Sequence, residues 1–229
     1  IITCMIFLVY TICLVQSKVI LSATALLITI PAVLFYLTDF ANLPVGERAL
    51  ASLFQAVTPR TAGYNTVDLT KMSDTSQAVT ILLMLTGGAP GSTAGGMKVT
   101  TLAVLIANAA AAFHRREDSR LFDRRLDYSA VRNAAAILLL YLSLTFVGAA
   151  VISEVEGLPL GACLYETASA AGTVGLTLGL TPQLGTLSQS ILILLMFFGR
   201  VGGLTLIYAA FSGHDMTYAR YPKEMITVG

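Results

Sequence analysis

Four apolar segments, each long enough to cross a lipid bilayer, constrain what this chain can fold into. They run over residues 18–37, 75–112, 128–152 and 187–211. A helix needs about 20 apolar residues to cross about 30 Å of hydrocarbon. Only 12% of the residues are charged and the mean hydropathy is +0.77, whereas about a quarter of the residues in a soluble domain are charged. The sequence therefore predicts an all-α integral membrane protein.

The composition argues against several classes of function. The net charge of +1 provides no bulk basic field for nucleic acid. No Ser/His/Asp or paired-carboxylate arrangement stands out, so we expect no enzyme. Cys4, Cys13 and Cys163 lie apart in apolar sequence and form no CxxC pair, which is typical of buried thiols rather than of a metal site or a disulfide. We expect this chain to bind no cofactor.

Two shorter apolar stretches, residues 46–58 and 158–170, lie between the first and second long segments and between the third and fourth. Each is about three turns of helix, too short to cross a bilayer and too apolar to be solvated. Both are predicted to be re-entrant pore helices. The order of span, half-helix, extended turn and span then occurs twice, as an internal repeat of roughly 110 residues.

Lysine and arginine residues are unevenly distributed between the two ends of the predicted spans. The loop "FHRREDSRLFDRRLD" carries five arginines, and the C-terminal tail adds Arg220 and Lys223. The opposite side holds only Arg48, Arg60 and Lys71. Because cytoplasmic loops carry the excess of positive charge, the basic loop and the C-terminus are predicted to be cytoplasmic. This organisation divides the chain into five parts. Residues 1–15 are an unplaced end of a preceding segment, residues 16–113 form one repeat and residues 114–127 form the basic loop. Residues 128–211 form the second repeat, and residues 212–229 form the tail.

Each half-helix is followed by a glycine-containing turn, "TPRTAGYNTV" in the first repeat and "SAAGTVGL" in the second. Superposing Gly63 on Gly172 also aligns Ala62 with Ala171. Non-helical backbone at membrane depth persists only where it is buried in protein or lines water, and rings of carbonyls can replace the hydration shell of a cation. The alternative is a glycine that simply ends each half-helix. The predicted ion filter is mainly backbone, from Thr61, Ala62, Gly63, Tyr64, Ala171, Gly172, Thr173 and Val174.

The 38 residues of the segment 75–112 would form a continuous helix of about 57 Å, more than a bilayer needs. Its middle, "TGGAPGSTAGGMK", holds Pro90 and five glycines, which make a helix there unfavourable. Asp74 and Gln77 predict a capping box at the start of the outer half. We therefore expect a loop inside the membrane.

This glycine-rich stretch has three alternative interpretations. A phosphate-binding loop would need a GK[ST] ending and a preceding strand. A GxxxG packing face leaves Pro90 unexplained. A broken helix of a secondary transporter remains an alternative.

Five separated motifs, "TPRTAGYNTVDL", "GGAPGSTAGGMKVTT", "ASAAGTVGL", "LLMFFGRVGGLTL" and "YPKEMITVG", occur in the order found in the Trk/Ktr/HKT superfamily of potassium-transport proteins. Residues 17–229 resemble the C-terminal half of its KtrB/TrkH type of membrane subunit. The resemblance implies span, pore-helix, span repeats around a pseudo-fourfold pore, of which this chain would supply the third and fourth. Gly63 and Gly172 match the filter glycines, and Arg200 matches the arginine of the last span.

The resemblance also implies a function and partners. It implies potassium uptake through a channel-like pore with a backbone-carbonyl filter and a glycine-rich gating loop; a sodium- or proton-coupled secondary cation transporter is the alternative. Potassium, or sodium, would be the substrate, and a nucleotide is expected on a separate regulatory subunit. The expected partners are two further repeats, a second copy in a homodimer, a cytoplasmic nucleotide-binding TrkA/KtrA-like ring and membrane lipid, with no nucleic acid. The expected location is the bacterial inner membrane.

Two cations lie at membrane depth, Lys98 and Arg200, where a charge is costly unless it faces protein or water. Lys98 could face the pore, snorkel or bind carbonyls of the loop. We expect Arg200 to hold loop carbonyls around residues 89–95, and pairing with Glu166 is the alternative. Glu166 and Asp68 could attract cations at the outer mouth, or serve as capping or solvated acids. The predicted gate comprises Gly87, Gly88, Ala89, Pro90, Gly91, Ser92, Thr93, Gly95, Gly96, Lys98 and Arg200.

Overall fold

The computed structural model describes residues 15–202, except residues 117 and 123. This part of the chain contains seven α-helices and one short β-hairpin. The helices are α1 (Val15–Leu37), α2 (Val45–Val57), α3 (Asp74–Leu85), α4 (Val99–Phe113), α5 (Tyr128–Glu156), α6 (Leu160–Ala171) and α7 (Thr186–Val201). The antiparallel strands are β1 (Arg120–Leu121) and β2 (Arg124–Arg125). Single 3₁₀ turns, Leu69–Lys71 and Thr181–Gln183, precede α3 and α7.

Helices α1 and α5 are long and apolar enough to cross a membrane, with 23 and 29 residues. Their most apolar windows are only 17% and 33% buried within the described chain, so most of their surface is open to lipid or to further protein. Helices α3, α4 and α7 are shorter, with 12, 15 and 16 residues. The predicted span 75–112 is two helices separated by residues 86–98. The end of the last predicted span, the tail 212–229, Cys4 and Cys13 lie outside the described residues.

The chain up to the end of α4 is called here the N-terminal unit, and the chain from α5 to α7 the C-terminal unit. The half-helices α2 and α6 end toward each other, because the larger buried cluster joins residues from both units. Ala56 of α2, Met84 of α3 and Tyr165 of α6 all belong to this cluster and are at most 1% exposed. Helix α6 packs on α5 and α7 in its own unit and on α3 in the other. The packing therefore places the ends of both half-helices at one central site.

The start of α3 differs by one residue from the predicted capping box. Ser73 is the N-cap, and its hydroxyl accepts a hydrogen bond from the Ser76 N–H at 3.3 Å. Asp74 is already helical, and the Gln77 side chain instead donates to the Met72 carbonyl at 3.1 Å. The prediction of an Asp74–Gln77 box was wrong because serine and aspartate cap equally well, so either residue could have begun the helix.

A carboxylate at the end of the first span fixes the start of α3. Asp39 follows α1, and its side chain accepts hydrogen bonds from the Ser73 N–H at 2.7 Å and from the Ser76 hydroxyl. Ser76 is fully buried. The carboxylate thus accepts hydrogen bonds from donors at a helix N-terminus, where backbone N–H groups lack partners within the helix and negative charge is favourable.

The C-terminal unit repeats this joint. Glu156, the last residue of α5, accepts from the Gly185 N–H at 2.9 Å and from the Ser188 hydroxyl at 2.5 Å. Gly185 is the N-cap of α7, as Ser73 is of α3. The Gln189 side chain donates to the Leu184 carbonyl at 3.0 Å, as Gln77 does to Met72. The equivalent residues at the starts of α3 and α7 lie 112 positions apart in sequence, which defines the register of the repeat.

Candidate functional site

The backbone turns that follow α2 and α6 share an unusual conformation. In the N-terminal unit, Thr61 and Gly63 have positive φ angles of 70° and 72°. In the C-terminal unit, Thr173 and Gly175 have positive φ angles of 51° and 91°. A positive φ is uncommon for a residue other than glycine, so a threonine in this conformation at the same place in both turns marks a constrained, repeated structure.

These turns correct the predicted superposition. Thr61 and Thr173, like Gly63 and Gly175, lie 112 positions apart, the register already set by the helix caps. Gly172, which we superposed on Gly63, has φ of −76° and ends α6 in a helical conformation. The alignment from sequence differs from this register by three residues, because the match of Ala62 with Ala171 favoured it. Backbone conformation and hydrogen bonding instead favour the spacing of 112 residues. Gly175 is therefore the structural counterpart of Gly63.

Side chains of the half-helices hold the two turns in place. The Thr58 hydroxyl donates to the Tyr64 carbonyl at 2.6 Å in the N-terminal unit. In the C-terminal unit, the Ser169 hydroxyl accepts from the Gly175 N–H at 3.2 Å. Within the turns, Ala62 and Tyr64 are exposed, whereas Ala171, Gly172 and Val174 are buried and Thr173 is half-buried.

The two turns contact each other directly. The Thr61 hydroxyl donates to the Gly172 carbonyl at 3.4 Å. A Cβ atom added at Gly63 would overlap the Val174 carbonyl oxygen. At Gly172, an added Cβ atom would overlap the Met84 carbonyl at the end of α3. Gly63 thus lies against the opposite turn, and Gly172 allows α6 to approach α3.

Residues 86–98, called here the glycine loop, connect α3 to α4. The ends of the loop pair with each other: the Gly87 N–H donates to the Met97 carbonyl at 2.7 Å, and the Met97 N–H to the Leu85 carbonyl at 2.9 Å. Gly87, Gly95 and Gly96 are buried, Gly88, Ala89 and Ala94 are half-buried, and Pro90, Gly91, Ser92 and Thr93 are exposed. The loop therefore has a buried, hydrogen-bonded base and an exposed tip.

The base of the glycine loop packs on the turn of the C-terminal unit. A Cβ atom at Gly95 would overlap the Thr173 hydroxyl and would lie 2.8 Å from the Gly172 carbonyl oxygen. On the other side of this turn, a Cβ atom at Gly199 of α7 would overlap the Ala171 carbonyl. Glycines on three segments thus allow the loop, the end of α6 and α7 to come together.

Three cationic side chains bind carbonyls of the glycine loop. Arg200 donates from Nη1 to the Thr93 carbonyl at 2.6 Å. Lys98 donates from Nζ to the carbonyls of Ala94 at 2.5 Å and of Ser92 at 3.4 Å. Arg60 donates from Nη2 to the Gly87 carbonyl at 3.3 Å. Positive charges at membrane depth are thus placed against carbonyls that no longer belong to a helix.

Arg60 was missed by sequence reasoning, which counted it only among the cations of the outer side. Its position immediately before the TAGY turn was the available signal, because a residue at the end of a re-entrant half-helix reaches the centre of the membrane. Its contact with the loop could not be inferred from sequence, since Arg60 and Gly87 belong to separate elements.

Glu166 has a structural role in the described chain. The side chain is 4% exposed, and its carboxylate accepts from the hydroxyls of Thr177 and Thr181, both at 2.6 Å, and from the Leu178 N–H at 2.9 Å. It therefore fixes the segment after the turn. The alternative of an ion pair between Glu166 and Arg200 does not occur in the described residues.

Asp68 is exposed and caps the 3₁₀ turn before α3. Its carboxylate accepts from the Thr70 hydroxyl at 2.6 Å and pairs with Lys71 at 3.2 Å. The hydrogen bond from Thr70, with a further contribution from Lys71, lowers the pKa of Asp68. Between residues 15 and 202, apart from 117 and 123, no three His, Cys, Asp or Glu side chains cluster as metal ligands would.

Comparisons with known proteins agree with this architecture. Residues 2–217 match the model of the family described as "TrkH: Cation transport protein". The chain is 34% identical over 220 residues to the Ktr system potassium uptake protein B of Bacillus subtilis (strain 168), covering 93% of this chain and 49% of that protein. It is 38% identical over 225 residues to the potassium/sodium uptake protein NtpJ of Enterococcus hirae, covering 93% of this chain and 50% of that one.

A solved structure has the same fold. The potassium transporter TrkH from Vibrio parahaemolyticus superposes with a TM-score of 0.68 at 20% identity, over 85% of this chain and 43% of that one. The chain thus spans about half the length of the relatives it matches. Since the family match covers nearly the whole chain, this integral membrane protein belongs to the TrkH family of cation transport proteins.

Proposed function

We propose that this protein takes up potassium across the membrane through a pore whose filter includes the turns 61–64 and 173–176. The observation that carries this proposal is the pair of matching turns, each with left-handed residues at alternate positions, in contact at the centre of the fold. Each turn follows a half-helix too short to cross the bilayer, so its backbone lies at membrane depth. Such backbone is stable there only beside protein or water.

The conformation of the turns suits cation binding. In an extended chain successive carbonyls point to opposite sides, whereas left-handed residues at alternate positions, Thr61 and Gly63 or Thr173 and Gly175, turn successive peptide groups toward one side. Carbonyls on one side can replace the water around a permeating cation. No acidic side chain is required, which is consistent with Glu166, whose carboxylate already accepts hydrogen bonds from Thr177, Leu178 and Thr181.

The proposed ion is potassium, with sodium as a second substrate. This choice is supported by the names of the relatives, a potassium uptake protein and a potassium/sodium uptake protein. Two turns would supply half of a fourfold filter. We therefore propose two further repeats, consistent with relatives of twice this length.

We propose that the glycine loop is the gate of this pore. The loop base contacts the turn at Gly172 and Thr173, and its exposed tip is held by Arg200 through the Thr93 carbonyl. A loop rich in glycine has high conformational entropy, so a fixed position requires such a contact. Release of the Arg200 contact would allow the loop to move.

The filter can be tested by glycine substitution in the full-length protein. Gly63→Ser and Gly175→Ser should each lower the ratio of potassium to sodium flux in proteoliposomes by at least about tenfold, because serine disfavours a positive φ. Gly161→Ser is the matched control: Gly161 lies in α6 with nothing within 4 Å of an added Cβ atom. An unchanged flux ratio in both turn variants would exclude the filter.

The second candidate function is secondary cation transport, coupled to sodium or protons. The specific observation that favours it is the break between α3 and α4, since discontinuous helices are typical of secondary transporters. Flux at rates far above about a thousand ions per second, or unitary currents in planar bilayers, would support the channel. Slow flux that requires a sodium or proton gradient would support the transporter.

The proposed assembly is a homodimer in the bacterial inner membrane, with the C-terminus in the cytoplasm. The arginine-rich segment 114–127 supports this orientation, because positive charge accumulates on the cytoplasmic side. The relative from B. subtilis is named as part of a Ktr system, which supports the proposal of a nucleotide-binding regulatory ring on the cytoplasmic face. The nucleotide would bind to that subunit and not to this chain.

A further inference from the structure

Two neighbouring cavities lie along the groove between α1 and α4. One, of about 430 Å³, is almost wholly apolar and reaches the base of the glycine loop at Leu85, Thr86 and Met97. The other, of about 360 Å³, lies at the end of α4 nearest the hairpin. The two cavities adjoin, because four residues line both of them: Ala23, Leu26, Ala103 and Ile106.

The groove ends at a cluster of cations. His114, Arg116 and Arg120 line the cavity at this end. The one acid among the described lining residues, Asp118, pairs with Arg125 at 2.7 Å, which offsets its charge. The hairpin is held against α4 by a hydrogen bond from the Ser119 hydroxyl to the Asn108 side chain at 2.9 Å. Folding of the hairpin thus places Arg116 and Arg120 together at the mouth of an apolar groove.

The groove is long enough to hold the acyl chain of one leaflet of a bilayer. Helix α4 has 15 residues, about 22 Å of rise. Half of a hydrocarbon core is about 15 Å thick. A lipid chain of that depth that starts at the arginines would therefore extend along α4 to Ala103. Small side chains of α4, Ala103, Ala107 and Ala110, leave this path open.

We infer that this groove binds one anionic glycerophospholipid, with its phosphate at Arg116 and Arg120 and an acyl chain along α1 and α4 behind the glycine loop. Charge complementarity selects the occupant: an apolar surface alone would accept any lipid tail, but the cationic mouth favours an anionic headgroup. Beyond Ala103, the apolar cavity continues to Leu85 and Met97, which hydrogen-bond each other at the base of the loop. The site goes beyond the proposed pore and requires only that the chain lies in a membrane.

The test is lipid retention by the full-length protein, measured by native mass spectrometry. The purified protein is incubated with equal amounts of phosphatidylglycerol and phosphatidylcholine that carry identical acyl chains. The Arg116→Gln/Arg120→Gln variant should prefer phosphatidylglycerol roughly 30-fold less than the unaltered protein does. Each arginine contributes about 1 kcal/mol to the binding of an anionic lipid, and about 1.4 kcal/mol corresponds to a tenfold change in affinity. The control Arg124→Gln/Arg132→Gln removes equal charge from exposed positions that do not line the groove, and it should keep the preference.

The acyl-chain path is tested separately. Ala103→Phe places a large side chain where the two cavities join, so it should lower retention of both lipids; Ala103→Leu is the milder variant. An unchanged preference in the Arg116/Arg120 variant, an equal loss in the control, or full retention in both Ala103 variants would overturn the inference. So would retention that appears only after separation of protomers, because the groove would then be covered by a second copy.

Discussion

Glycine residues in this protein have two different physical roles. Gly63 and Gly175 have positive φ angles, which side chains disfavour whatever space is available. Gly95, Gly172 and Gly199 have no such angle, but an added Cβ atom would overlap backbone or side-chain atoms of another segment. Gly63 has both features, because an added Cβ atom there would also overlap the Val174 carbonyl oxygen. Substitution therefore changes backbone conformation at Gly175, packing at Gly95, Gly172 and Gly199, and both at Gly63.

The packing role predicts a stability change at Gly172. Gly172→Ala should lower the free energy of unfolding by about 1–3 kcal/mol, the usual range for overpacking, because the new methyl group would overlap the Met84 carbonyl. Gly161→Ala in the same helix should be neutral or stabilising by up to about 1 kcal/mol, since its surroundings are open. Thermal unfolding in detergent measures both. Equal melting temperatures would contradict the close approach of α6 and α3.

The contact between Arg200 and Thr93 predicts how the proposed gate responds to substitution. Arg200→Ala should raise potassium flux by about 10- to 100-fold where the pore is mostly closed, since a hydrogen bond from a charged group contributes about 1.5–3 kcal/mol. Deletion of residues 88–94 should raise flux similarly and weaken its dependence on a regulatory partner. The combined variant should add little, because both changes remove the same contact.

Two outcomes would distinguish this role from a purely structural one. Fully additive effects of Arg200→Ala and the deletion would exclude a shared contact. A joint loss of expression and flux in Arg200→Ala would indicate that the arginine supports the fold. Leu187→Ala serves as a control on the same helix, because Leu187 is exposed and far in sequence from the loop contact.

Sequence reasoning at the residue scale succeeded where intrinsic backbone preferences decide the structure. Glycine and Pro90 were enough to predict a break after α3, because their helix propensities are poor in any context. The prediction of Gly172 as the counterpart of Gly63 was wrong, because a shift of the alignment by three residues changes the number of identical residues only slightly. The φ angles of Thr61 and Thr173 resolve the register, and threonine itself gives no signal for a left-handed conformation.

At the scale of elements, the repeated joint between the two spans of each unit explains how the half-helices are held. Asp39 and Glu156 each bind the backbone N–H of an N-cap residue and the hydroxyl of a serine three positions later. Their equivalence could not be read from sequence, because the spacing between Asp39 and Glu156 differs from the 112-residue register of their partners. The region that contains the half-helix differs in length between the two units, which accounts for this difference in spacing.

This joint predicts a pH-dependent stability. Burial alone would raise the pKa of Asp39, but hydrogen bonds from Ser73, Ser76 and Thr38 hold it below its ordinary value. A lowered pKa in the folded state means that the carboxylate stabilises the fold above the unfolded pKa of about 3.9 and that this stability is lost as the pH falls through the folded value. Asp39→Asn should lower the free energy of unfolding at pH 7 by about 1–3 kcal/mol and should remove that part of the acid dependence.

The equivalent change in the other unit, Glu156→Gln, should also destabilise the fold at pH 7, but by less than Asp39→Asn, because solvent screens the more exposed carboxylate of Glu156. Glu154→Gln is the matched control, because Glu154 lies two residues earlier in α5 and is exposed. Thermal unfolding in detergent between pH 3 and pH 7 measures the three variants. If Asp39→Asn retained the full acid dependence, the joint would not depend on the charge of Asp39.

At the scale of the whole molecule, the two units are related by pseudo-symmetry but differ at the centre. The second span of the N-terminal unit is interrupted between α3 and α4, whereas Gly199, which lies 112 residues after Gly87, is still helical and α7 continues to Val201. Within the described residues, the two units therefore differ at the positions where the glycine loop begins.

The basic hairpin predicts where a regulatory subunit would dock. Arg124 of β2 is exposed, and the adjacent Arg125 fixes the hairpin by pairing with Asp118 at 2.7 Å. Arg124→Glu should weaken nucleotide-dependent binding of a cytoplasmic regulatory ring by about tenfold at low salt, with a smaller effect at high salt, because exposed charges are screened. Basal flux without the ring should be unchanged. Binding is measured with purified full-length protein at two salt concentrations.

Arg132→Glu provides the control, since Arg132 is an exposed cation near the start of α5 outside the hairpin. A specific docking surface requires that only Arg124→Glu weakens binding. Equal weakening in both variants would leave only the general positive charge of this side, which topology alone explains. If the unaltered protein showed no nucleotide-dependent association, the regulatory ring would be excluded. The filter and the Arg200 contact would remain open to their own tests, because neither depends on the hairpin.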